Sequence, residues 1–179
     1  EDPEVRSQLI RASIMLGAKF TFEDFQNLED ELPNDVYHEL GKHAGFDADN
    51  PTYDKSDTSW SHFYDNSFDW DPKTQIVAAS RLKQLGKHDE IVDAILNLDD
   101  PEARSILIRK AMASKGKFNH EEFENLQDEL PVEVYSELAT YTGFSAECPD
   151  YDKDNHTWKY FYENGSSWTE EIQLAAIST

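Results

Sequence analysis

The oxygen-rich segment DYDKDN (Asp150 to Asn155) is the first stretch whose residue types could do chemistry. It sets Asp150, Asp152 and Asp154 at alternate positions, the spacing of a calcium loop. Such a loop needs a glycine next, for its sharp turn, and a bidentate glutamate at its end. Asn155 and Phe161 stand at those two places, so a calcium loop is not expected. The histidines offer no better metal site, because no HExxH or related spacing occurs. Cys148 is the single cysteine, which excludes an intrachain disulfide and a thiolate zinc cluster. A lone thiol fits a reducing, cytoplasmic setting. Nucleophile elbows of the GxSxG kind and glycine-rich phosphate loops are also missing. The chain is therefore expected to be no enzyme and to need no metal or other cofactor.

An internal repeat sharpens this expectation. Shifted by 98 residues, the chain aligns with itself without gaps, and residues 2–81 match residues 100–179 at 37 of 80 positions. Chemistry needed in both copies should survive in both. His38, His43, His62, His120 and His156 face Ser136, Tyr141, Tyr160, Phe22 and Thr58, and Cys148 faces Asn50. Two sets do survive. Tyr53, Trp60, Phe63, Tyr64 and Trp70 return as Tyr151, Trp158, Phe161, Tyr162 and Trp168, with Asn66 returning as Asn164. Trp60, Phe63 and Tyr64 fall on one face of a helix, which suits a core wedge, and the asparagines suit helix ends. The second set is acidic: Glu23, Asp24, Asp30 and Glu31 return as Glu121, Glu122, Asp128 and Glu129. Phe25 and Leu28, with Phe123 and Leu126, should point inward and send these carboxylates outward.

The elements that must position these groups read as helices. Asp2-Pro3 and Asp100-Pro101 each put a capping carboxylate before a proline suited to the first helical position. Thr21 and Asn119 suit caps for helices over FEDFQNLEDEL and HEEFENLQDEL. Pro33 and Pro131 break the ladder, and Gly45 and Gly143 suit the ends of the helices that follow. Polar, proline-containing loops are expected over 47–59 and 145–157. Asp71-Pro72 should start a helix that runs to Gly86, and HDEIVDAIL a further one. Alternating strand patterns are missing. The expected fold is all-α: two tandem helical repeats of about 98 residues joined by connecting helices. The first repeat would span 1–80, the connecting helices 81–99, and the second, truncated repeat 100–179.

Charge narrows the class of partner. The chain carries 37 acidic and 16 basic side chains, a formal net charge of -21. Such a surface repels nucleic acid and anionic membranes and attracts basic proteins. No apolar run is long enough to span a bilayer, and no secretory leader is seen. The segments WSHFYDNS (Trp60 to Ser67) and QIVAASRLKQLG (Gln75 to Gly86) resemble the core of a family of small acidic bacterial DNA-mimic proteins. The resemblance implies an all-helical protein that engages a DNA-binding protein through acidic side chains, and it transfers no individual residue. The expected function is thus non-enzymatic binding of a basic protein surface, as a DNA mimic or an immunity-type inhibitor of a basic toxin. Glu23, Asp24, Asp30, Glu31, Glu121, Glu122, Asp128 and Glu129 are the candidate contacts. The alternative is a helical-repeat scaffold whose acidic surface only keeps it soluble.

Overall fold

Local signals start nearly every helix. In a computed structural model that describes residues 2–178, the chain falls into two units, Glu1–Gln84 and Leu85–Thr179. The outer limits of the expected repeats, Glu1 and Thr179, lie outside the described residues. Every regular element among the described residues is helical. None is long and apolar enough to cross a membrane.

In the first unit, α1 (Pro3–Met15) begins where the Asp2 carboxylate accepts the Glu4 N–H at 2.9 Å. Helix α2 (Phe22–Asn27) opens with a reciprocal box between Thr21 and Asp24, which satisfies two amides that the first turn leaves without helical partners. Helix α3 (Asn34–Ala44) starts after Pro33 and ends at Gly45, whose φ of 79° lies in the left-handed region. Phe25, Leu32, Val36, Tyr37 and Leu40 form the core, with Ile10 and Ile14 of α1 packed against it. The Phe25 and Tyr37 rings stack at 4.4 Å. After a polar loop come α4 (Trp60–Asn66), a 3-10 turn at Ser67–Asp69 and α5 (Pro72–Arg81). Buried Trp70 anchors this half: its indole N–H donates to the Thr52 hydroxyl at 2.8 Å, and its ring meets Tyr53 and Phe63 edge-on.

The second unit starts with α6 (His88–Asn97), followed by α7 (Pro101–Ala113), α8 (His120–Asn125), α9 (Val132–Thr142), α10 (Trp158–Asn164) and α11 (Glu170–Ser178). Asp100 caps α7, Asn119 and Glu122 box α8, and Gly143 ends α9 with a φ of 75°. Helix α7 packs against both α6 and α9. Ile95, Leu98, Leu107, Ile108, Phe123, Leu126 and Leu138 are fully buried. The Phe123 and Tyr135 rings stack at 4.6 Å.

Three expectations change. The helices expected over FEDFQNLEDEL and HEEFENLQDEL stop at Asn27 and Asn125. Beyond Asn27 the backbone tightens into successive i→i+3 turns, with Glu29 N–H on Gln26 and Glu31 N–H on Leu28 at 3.2 Å each. The following proline has no N–H with which to continue an α ladder. Helix α5 stops at Arg81, short of Gly86, because Leu82 leaves helical dihedrals (φ -54°, ψ 125°) and is buried. The aromatic wedge is buried unequally. Phe63 is buried, and Trp60 and Tyr64 are half-buried, but Trp158 and Tyr162 are 73% and 77% exposed. The short α10 has no fully buried face, so its outer rings meet solvent. The asparagines do sit at helix ends. Asn66 donates to the His62 carbonyl and Asn164 to the Tyr160 carbonyl, both at 2.9 Å.

Candidate functional site

The eight recurring carboxylates divide by what their own chain asks of them. Asp24 belongs to the α2 cap: it accepts the Thr21 N–H at 2.9 Å and the Thr21 hydroxyl at 2.7 Å. These bonds, the hydroxyl's first, hold its carboxyl below the usual carboxylate range. Glu122 closes the box at α8, accepting the Asn119 N–H at 2.8 Å, and also faces His88 Nε2 at 3.2 Å. Glu31 pairs with Arg6, whose guanidinium also donates to the Glu31 carbonyl at 3.0 Å. Glu129 pairs with Arg104, which donates to the Glu129 carbonyl at 3.0 Å and to the Leu98 carbonyl at 2.5 Å. A guanidinium with several fixed donors suits this bridging of carbonyl and carboxylate.

Glu23, Asp30, Glu121 and Asp128 remain, all exposed. Glu23 and Glu121 lie in the first turns of α2 and α8, where the helix dipole favours a negative charge. Asp30 and Asp128 project from the tight turns beyond those helices rather than from helical faces. Glu29 and Glu124 add exposed charge beside them. Beneath lie the Tyr37 and Tyr135 hydroxyls, each buried with no hydrogen-bond partner in the protein. Burial first, and then the charge of Glu29, raises the Tyr37 pKa well above its usual value. Burial does the same at Tyr135, reinforced by Glu124 and Asp128. Both phenols therefore stay neutral under the acidic segments.

The chain matches no family model, no curated protein and no solved structure.

The carboxylates of the loop over 47–59 are largely occupied with shaping it. Asp47 accepts the Asp49 N–H at 3.1 Å, Asp54 the Ser56 N–H at 2.8 Å, and Asp57 the Ser59 N–H at 2.8 Å. The Ser59 bonds hold the Asp57 carboxyl below its ordinary range. In the second unit, Asp152 accepts the Asp154 N–H at 2.9 Å, which assigns part of DYDKDN to turn formation. Among the described residues no group of three or more His, Cys, Asp or Glu is placed to hold a metal ion. A recess of about 220 Å³ beside α10 and α11 is walled by Trp158, Phe161, Trp168 and Ile177.

Sequence reasoning passed over the arginines. Arg11 holds Asp35 and Glu39 at 2.7 and 2.9 Å, and Arg109 holds Glu137 at 2.8 Å. The signal was available, since Arg6 and Arg11 recur as Arg104 and Arg109 in the matched segments DPEVRSQLIR and DPEARSILIR. The pair Asp54-Lys55, which recurs as Asp152-Lys153, also has a function in the fold. Lys55 donates to the Gly45 carbonyl and Lys153 to the Thr142 carbonyl, so each closes the C-terminal end of a helix.

Proposed function

We propose that this chain is a non-enzymatic acidic binding protein, built from two tandem copies of one helical fold, that engages a basic protein surface. The observation that carries the reading is the set Glu23, Asp30, Glu121 and Asp128. These carboxylates recur at matched positions, are exposed, and take no part in the caps and arginine pairs that occupy their neighbours. Fixed carboxylates presented this way attract a cationic face over about one Debye length. A DNA-binding protein occupied in this manner would treat the chain as a DNA mimic. A basic toxin would be neutralised as by an immunity protein. Neither direct nucleic-acid contact nor membrane contact fits a net charge of -21. The buried lone thiol of Cys148 is compatible with action in the cytoplasm of a bacterium.

A scaffold with a merely solubilising surface is the second reading. The use of Asp24, Glu31, Glu122 and Glu129 within the fold favours it, because recurrence alone is then explained by structure. One experiment separates the two. The full chain is immobilised, source-cell extract is applied at about 50 mM salt, and bound proteins are eluted with a salt gradient. The quadruple variant Glu23→Gln, Asp30→Asn, Glu121→Gln, Asp128→Asn spares every cap and arginine pair. Loss of a salt-eluted basic protein from the variant supports binding through these residues. Capture of the same proteins by both forms removes this assignment.

A further inference from the structure

Matched positions in the two units tie a loop to the helix after it with different side chains. In the second unit the Tyr160 hydroxyl of α10 accepts the Asp152 N–H at 2.6 Å and donates to the Asp150 carbonyl. In the first unit His62 of α4 stands at the place of Tyr160, and Asp54 at that of Asp152. The rings are set alike, with His62 5.5 Å from the Trp70 ring and Tyr160 5.4 Å from that of Trp168. The Asp54 N–H lies 3.2 Å from His62 Nε2. A backbone N–H only donates, so Nε2 must accept, and the single proton of the neutral ring sits on Nδ1. A phenol accepts and donates at once, and burial first of all raises the Tyr160 pKa and keeps that hydroxyl intact. An imidazole accepts only while it is neutral. Its protonated form has two N–H donors and no acceptor.

The segment held by this bond is tied to the rest of the unit on both sides. The Tyr53 ring meets Trp70 edge-on, and Lys55 donates to the Gly45 carbonyl at the end of α3. The Asp54 carboxylate accepts the Ser56 N–H and hydroxyl at 2.8 and 2.7 Å. The charged groups around the ring are acidic. Asp57 faces it from the loop: the Ser59 bonds hold its carboxyl low, and a charge on His62 adds to that effect. Asp65, exposed, follows His62 at i+3 on α4 itself. Beyond Trp70, the Asp71 carboxyl is engaged by Asn50 and Thr74.

We propose that His62 is a pH-sensitive latch of the first unit, which holds the Asp54 amide and the segment around it when neutral and releases that amide when protonated. The neighbouring Asp57 supplies the opposite charge that the released imidazolium needs. Tyr160 makes the matched contact of the second unit insensitive over the same range. Mild acid thus loosens the loop over 47–59 and leaves the loop over 145–157 closed. The latch is separate from the acidic segments of α2 and α8 and does not depend on their function.

The full chain, labelled with nitrogen-15, is titrated by NMR from pH ~8 to ~5, which spans the ordinary histidine range. The Asp54 amide proton should move upfield with the same midpoint as the His62 ring protons, and the Asp152 amide should not follow. Protection of the Asp54 amide against hydrogen exchange, taken relative to Asp152, should fall about fivefold over this range, the worth of one hydrogen bond. The ratio cancels the effect of pH on exchange itself. His62→Gln offers an acceptor at every pH and should abolish the response at Asp54. An Asp54 amide that ignores the His62 titration in the parent chain overturns the latch, whether or not the variant folds. So does an equal response at Asp152, or a response at Asp54 that survives His62→Gln.

Discussion

Asn50 illustrates how a single side chain can decide a local structure. It is 2% exposed, and its Oδ1 accepts the Asp71 N–H at 2.8 Å while its Nδ2 donates to the Asp47 carboxylate at 3.1 Å and to that of Asp71. Burial raises the Asp71 pKa, but hydrogen bonds from Asn50, Thr74 and Lys73 outweigh it and hold the carboxyl below its ordinary range. Asn50→Ala strands the Asp71 N–H and should cost about 2 kcal/mol, measured as a lower urea midpoint with an unchanged slope. Cys148, at the matched position, bonds through no side-chain atom in this way, so Cys148→Ala should cost about 1 kcal/mol or less. A second residue-scale test uses pH. The Asp24 carboxyl is held low by Thr21, so its stabilising contribution is complete above the ordinary aspartate range near pH ~4. That contribution is lost as pH falls through the lowered folded value. Thr21→Val should therefore lower the melting temperature most at neutral pH, with the gap to the parent narrowing below pH ~4. A gap that stays constant from pH 7 to 3 would show that Thr21 does not act through the Asp24 carboxylate.

At the scale of elements, the helix ends offer comparisons within one molecule. Gly17 and Gly143 have nearly the same φ, 73° and 75°, but different surroundings. A methyl group at Gly17 meets nothing within 4 Å, whereas at Gly143 it would stand 2.8 Å from the Lys153 ammonium that closes α9. Gly17→Ala should cost about 1 kcal/mol from the left-handed backbone alone, and Gly143→Ala about 2 kcal/mol. Equal costs would mean that Lys153 contributes nothing to the α9 terminus. Lys115 occupies the place matched to Gly17 and has a φ of 62°. Lys115→Gly should relieve that backbone and stabilise the chain by about 0.5 to 1 kcal/mol in chemical denaturation. These termini were largely legible beforehand, since Asp2, Thr21, Asp71, Asp100 and Asn119 cap as their types suggest. The lengths of α2, α5 and α8 were not, because their stops depend on burying Leu82 and on the tight turns before Pro33 and Pro131 rather than on any residue inside the helix.

For the whole molecule, charge is the dominant global quantity. A formal net charge of -21 makes the compact state repel itself. Added sodium chloride should therefore raise the melting temperature by a few degrees between about 20 and 300 mM, opposite to its effect on partner capture. The ion pairs Arg11–Glu39 and Arg109–Glu137 are solvent-exposed and contribute little against this trend. A melting temperature that falls with salt would assign net stability to those pairs instead.

By itself the sequence determined an all-helical chain, the residues that start its helices, and the duplication that brings the same aromatic and acidic groups back after 98 positions. Capping, proline and glycine act within a turn, so their signals survive in the linear code. Only the tertiary structure decided which carboxylates are committed and which are presented. Glu31 and Asp30 are neighbours of the same charge, yet one is held by Arg6 of α1 and the other faces solvent. The same is true of the aromatic repeat: Trp60 is half-buried and Trp158 exposed, although each begins the same motif. Burial and pairing depend on groups brought together from distant parts of the chain, and matching residue types do not fix which of them will be covered.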